Sequence, residues 1–105
     1  MKRVGFQFRV RQDRLDEYKE QHKQVWPEML EALRETGWHN YTLFMRPDGL
    51  IFGYFETDAD LASAQAKMAE KDVNARWQQF MASYMDANAR PDETFVELEE
   101  YFHLD

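Results

Sequence analysis

Val4, Phe6, Phe8 and Val10 alternate with Gly5, Gln7 and Arg9 at the head of the chain. A strict period of two over residues 3–10 specifies a β-strand with one apolar face. The period then changes. From Leu15 onward Tyr18, His22, Val25/Trp26, Met29 and Leu33 recur at steps of three and four, the signature of a helix burying one stripe. Asp13, with Asp16 three residues later, is placed to cap that helix. Pro27 falls inside the stripe, where it removes a backbone donor and clashes with the preceding turn, so the helix is expected to kink or restart near Trp26. Gly37 is placed to end it.

Alternation returns at residues 39–45, putting His39, Tyr41, Leu43 and Met45 against Asn40, Thr42 and Phe44. Arg46-Pro47-Asp48-Gly49 is a turn, with proline fixing φ and glycine tolerating a positive one, and Leu50–Glu56 then pairs back as a hairpin arm. Thr57/Asp58 opens a second helical region reaching about Met85. It is expected to break near Lys71-Asp72, because Val73, Trp77, Phe80/Met81 and Tyr84 form a fresh stripe behind Asp72 as a new cap. A polar loop through Arg90-Pro91-Asp92 leads to a last strand over Thr94–Leu104. The order β-α-β-β-α-β predicts an α+β, ferredoxin-like fold: a four-stranded antiparallel sheet with its helices on one face.

Composition bounds the rest. The chain has 105 residues, with 16 aromatic rings among them, which suits a single domain spanning 1–105 with a buried core. Thirteen Lys and Arg against 20 Asp and Glu leave a charge of −7, a field that disfavours nucleic acid and anionic membranes as partners. No stretch approaches the ~18 apolar residues of a spanning helix, and cysteine is absent. Thiolate metal sites and disulfides are thereby excluded, and a soluble cytoplasmic protein is the expectation. Three strands carry apolar residues on both faces (Phe44 against Tyr41 and Leu43, Phe52/Tyr54 against Ile51/Phe55, Phe95 against Val96 and Leu98). One sheet face would be left as a bare apolar patch, so a homodimer is expected, a dimeric α+β barrel with its interior between the sheets or between sheet and helices.

Tyr18 and His22, four residues apart, share a helix face that Trp26 continues. On spacing alone a buried core histidine and a pocket histidine both satisfy this pattern, since either must satisfy two ring nitrogens. Tyr41 suits core or pocket wall equally. Trp77 reads as core or as a platform on which a sugar's C–H face could stack. His39 reads as a strand-end polar residue with the pocket as its alternative, and His103 as an ordinary terminal residue. The three histidines have no metal-ligand spacing, so no metal is expected. Phosphate-cradling and nucleophile-elbow motifs are also missing.

The run Glu17-Tyr18-Lys19-Glu20-Gln21-His22, followed by Val25-Trp26-Pro27-Glu28, resembles the L-rhamnose mutarotase family. So do Gly37 with His39-Asn40-Tyr41, Asp72-Val73 with Arg76-Trp77, and the closing Glu97–Leu104. The resemblance implies a homodimeric isomerase of carbohydrate metabolism that interconverts the anomers of L-rhamnose without metal or cofactor. It also implies His22 as the catalytic proton donor, with Tyr18, Tyr41 and Trp77 on the substrate. Gln78 stands where the family commonly has a second tryptophan of a sugar-binding pair, and Trp26 and His39 are further pocket candidates. Two rival readings share the fold: a cofactor-independent monooxygenase or haem-degrading enzyme, and a small-molecule-binding module without catalysis.

Overall fold

The computed structural model describes residues 1–86 and 89–105. Its strands are β1 (Lys2–Arg9), β2 (His39–Met45), β3 (Leu50–Thr57) and β4 (Val96–Leu98). They form one sheet in the order β2-β3-β1-β4, every pair antiparallel, as the ferredoxin-like expectation requires. β1 and β3 pair over their full length, from Lys2 opposite Thr57 to Arg9 opposite Leu50. The alternation in β1 is realised in burial: Val4, Phe6 and Phe8 are 1, 0 and 5% exposed on the inner face. Ile51 and Phe55 join them from β3.

The helices α1 (Leu15–His22), α2 (Pro27–Glu35), α3 (Leu61–Ala69) and α4 (Asp72–Met81) supply the rest of the core. Pro27 restarts the chain as the first residue of α2, where its missing N–H costs nothing and its fixed φ is already helical. Gly37, at φ 86°, ends α2: the Trp38 N–H reaches the Leu33 carbonyl at 3.0 Å and the Gly37 N–H reaches that of Arg34 at 3.3 Å. The break between α3 and α4 falls at residues 70–71, where the fresh stripe predicted it.

Four local expectations are corrected. Asp13 does not cap α1. It sits in a short 3₁₀ turn, Gln12–Arg14, with its carboxylate held by the Arg11 guanidinium at 2.8 and 3.2 Å. The second helical region does not open at Thr57/Asp58, because Thr57 still pairs in β3; Asp60 is the cap, accepting from the Ser63 N–H at 2.8 Å. Asp72 is the first residue of α4 rather than its cap, and binds Arg76 Nε at 2.9 Å. The last strand spans Val96–Leu98 only, not Thr94–Leu104. Beyond it the chain is tied to β1 through side chains, Arg3 Nε donating to Glu100 at 2.7 Å. Tyr101, Phe102 and Leu104 remain highly exposed there.

His39 and Tyr41 do not share a face as simple alternation would have it. His39 pairs with Glu56 and Thr42 with Tyr54, so three residue steps of β2 span two of β3. Asn40, at φ 52°, absorbs the extra residue. The bulge turns His39 toward the outer face and leaves Tyr41 inward, 6.1 Å from the Phe55 ring. The outer face itself is apolar in patches: Phe44, Phe52 and Val96 are 60, 40 and 56% exposed. Residues 87 and 88, in the polar loop before β4, lie outside the described residues.

Candidate active site

Between the inner sheet face and the helices lies a cavity of about 310 Å³, at the lower end of the ~300–1,000 Å³ usual for small-molecule sites. His22 enters it from the end of α1. Its Nδ1 is 2.9 Å from the Tyr18 carbonyl one turn back. A carbonyl oxygen can only accept, so Nδ1 carries the hydrogen and the neutral ring keeps its lone pair on Nε2. The imidazole centroid also lies 4.5 Å from that of the Tyr18 ring and 5.7 Å from that of the Trp77 indole, the imidazole and indole planes nearly perpendicular.

Trp77 is fixed from behind. Trp26 packs against it edge-on at 5.0 Å and stacks on Phe80 at 5.6 Å. Tyr41 and Phe95 form the sheet side of the cavity, and Phe95 is itself stacked on Phe6 at 4.1 Å. Trp38 completes that side, stacked on Phe55 at 4.1 Å. Among the described residues its indole N–H is the one buried side-chain polar atom without a hydrogen-bond partner.

His22, Tyr41, Trp77 and Gln78 therefore border one cavity. Tyr18 is buried beside His22 without being one of the walls, Trp26 stands behind Trp77, and His39 is exposed at the outer face. Sequence reasoning missed the polar wall built by Asn74 and Asp92 with Gln78. The available signal was Asn74, four residues before Gln78 and on the same buried stripe of α4 as Trp77. Asp92 comes from a loop and offered no periodic signal. Gln65 reaches the same loop from α3, donating to the Asp92 carbonyl at 2.7 Å.

Burial sets the protonation states. It lowers the His22 pKa below 6.5, against a smaller upward pull from the Tyr18 carbonyl. It raises both Tyr18 and Tyr41, the latter further because Tyr18 and Asp92 act on it electrostatically. Near neutrality His22 and Tyr41 thus border the cavity in neutral form, with the neutral Tyr18 phenol buried beside His22. The Asp92 carboxylate is matched by Arg90 at 3.1 Å. Such a cavity suits an uncharged, hydroxyl-bearing molecule. Among the described residues no three His, Asp or Glu side chains converge to hold a metal ion, and no helix is long and apolar enough to cross a membrane.

A histidine whose folded pKa is depressed binds its proton more weakly than in the unfolded chain. Its contribution to stability is therefore complete above ~6.5 and declines as pH falls through the lowered folded value. NMR titration of the His22 ring protons is expected to give a midpoint below 6.5. A midpoint above 6.5 would contradict the buried neutral state.

Fold and site together define a ferredoxin-like α+β protein with a cavity between sheet and helices and a half-buried histidine on its wall. Comparison with known proteins narrows the class. The L-rhamnose mutarotase family model matches residues 3–104, and the chain belongs to that family. It is 38% identical, over the whole of both chains, to the L-rhamnose mutarotase of Oceanobacillus iheyensis. The L-rhamnose mutarotase of Bacillus subtilis matches to the same extent. A crystal structure of an L-rhamnose mutarotase from Formosa agariphila superposes with a TM-score of 0.79 at 28% identity, covering all of both chains.

Proposed function

We propose that this member of the family is an isomerase that interconverts the α and β anomers of L-rhamnopyranose, with His22 as its acid/base. The observation that carries the proposal is the His22 ring itself: Nδ1 committed to a backbone carbonyl, Nε2 left with its lone pair, and the ring bordering a neutral cavity beside Trp77. Nε2 takes the proton of the C1 hydroxyl, and the resulting imidazolium delivers it to the ring oxygen as the C1–O5 bond breaks. The open aldehyde rotates about C1–C2. Closure runs the same transfers in reverse and yields the other anomer, with His22 neutral again. Tyr41 bonds a sugar hydroxyl, Tyr18 supports the His22 ring from beside it, and Trp77 packs on the sugar's C–H face or its methyl group. The family and its relatives give the haem, monooxygenase and non-catalytic readings no support.

Polarimetry tests the reaction. Freshly dissolved α-L-rhamnose is expected to reach its equilibrium rotation faster with the protein than in buffer, and superimposed traces would reject the proposal. The rate is expected to fall on an acid limb whose midpoint lies below 6.5, where His22 becomes charged before substrate arrives.

The proposal extends to a homodimer formed through the outer sheet face and to a cytoplasmic location. Phe44, Phe52 and Val96 on one side of the sheet make an apolar patch that a second copy would cover. The absence of cysteine fits a reducing compartment. Sedimentation is expected to give twice the 12.7 kDa chain mass, and Phe52→Glu is expected to shift it to a single chain. A wild-type monomer at micromolar concentration would overturn the dimer.

A further inference from the structure

One wall of the cavity has no part in the proton transfers. Asn74 and Gln78, one turn apart on α4, are 2 and 7% exposed, a burial at which side-chain amides are held by at least one hydrogen bond. Gln78 Nε2 donates to Asn74 Oδ1 at 3.1 Å. Asn74 Nδ2 donates to Asp92 Oδ2 at 3.3 Å, and the Asp92 backbone N–H donates to Gln78 Oε1 at 3.1 Å. The three residues close a ring of hydrogen bonds that fixes both amide orientations. Arg90 holds Asp92 from outside with bonds of 3.3 and 3.1 Å.

Counting donors shows what is left over. Each amide nitrogen carries two hydrogens, and the ring uses one from Gln78 and one from Asn74. Among the described residues one N–H on each remains uncommitted, on side chains that border the cavity. Each carbonyl oxygen accepts one bond within the ring and keeps a second lone pair. The wall therefore offers two donors that are held in place before a ligand arrives.

We infer that the Asn74–Gln78–Asp92 ring is a specificity element that reads a sugar oxygen away from the anomeric centre through its two free amide hydrogens. The inference rests on the mutarotase reading and names the part of the cavity that selects among sugars. A ligand lacking that oxygen would leave two buried donors unpaired. Sites built to bond a hydroxyl discriminate far more strongly than apolar ones for that reason. The role is in binding: the wall holds the sugar while His22 moves the proton.

The test pairs wild type with Gln78→Met, which conserves length and removes the amide. With L-rhamnose, the variant is expected to raise KM about 10- to 100-fold while kcat falls less than about threefold, since a ground-state contact is removed. Wild type alone should reject one of the 2-, 3- and 4-deoxy analogues of L-rhamnose by a similar factor, an arm that stands even if the variant folds poorly. Against that same analogue the variant and wild type should be alike. Equal KM values in a folded variant, or a wild type indifferent to every deoxy position, would overturn the inference. Sugar binding read by tryptophan fluorescence separates the two claims. Deoxy-selective binding without anomer exchange would sink the reaction and keep the wall, whereas exchange without deoxy selectivity would do the opposite.

Discussion

His22→Ala is expected to lose the enzymatic acceleration of anomer exchange almost entirely. General acid–base assistance of the kind assigned to this ring contributes about 10²–10⁴-fold, and hemiacetal opening also proceeds unaided in water. Removing the ring therefore returns exchange close to the rate in buffer. Folding should be little affected. The ring is half-buried at the end of α1, and its hydrogen bond to the Tyr18 carbonyl is worth about 0.5–1.5 kcal/mol net. Part of that is offset, because the variant no longer buries Nε2. His22→Gln sharpens the comparison: its amide retains a donor near the carbonyl but does not titrate, and it should be equally inactive. A folded His22→Ala protein with wild-type exchange would remove His22 from the chemistry.

The largest stability effect is expected at Phe6. The ring is fully buried and packed among four others, with centroids 4.1 Å from Phe95 and 6.2 Å from Phe8, Tyr41 and Phe55. Phe6→Ala is expected to cost about 3–5 kcal/mol, because rigid neighbours on a paired central strand cannot collapse into the space. That is a large share of the ~5–15 kcal/mol by which domains are stable, so chemical denaturation should show a chain near its threshold. Gly53 lies opposite Phe6 in the sheet and leaves room for its ring. A Cβ there would lie 2.6 and 2.7 Å from two ring carbons of Phe6, whose ring is fully buried. Gly53→Ala should cost about 1–3 kcal/mol by overpacking. Combined with Phe6→Leu it should cost less than the sum of the single changes. Strict additivity would mean that the ring and the glycine are not in the contact described.

Much of this architecture was legible because period and punctuation agree along most of the chain. The alternation of Val4 to Val10, the Pro47-Asp48-Gly49 turn and the restart at Pro27 each have a local cause that tertiary context did not override. The missed features have causes that single-strand patterns do not carry. The bulge at Asn40 depends on how β2 meets β3, and it alone decides that His39 faces outward while Tyr41 faces the cavity. The shortness of β4 depends on its pairing with β1, so the apolar spacing of Phe102 and Leu104 could not reveal it. At the site, helical spacing brought Tyr18 to His22 and placed Trp77 on a buried stripe. It could not bring the Asp92 loop to Asn74 and Gln78, because that contact joins residues 14 and 18 positions apart. Buried amides on an aromatic stripe, such as Asn74 and Gln78, are the sequence trace such a wall leaves.

Exchange NMR on the anomeric protons of L-rhamnose at equilibrium is the most direct test of the central claim, since it observes interconversion without any coupled reaction. With wild-type protein, saturating the α-anomer proton is expected to diminish the β-anomer signal, in proportion to protein concentration and with a loss of effect below the His22 pKa. No transfer beyond that seen in buffer, from a folded protein across neutral pH, would contradict the account.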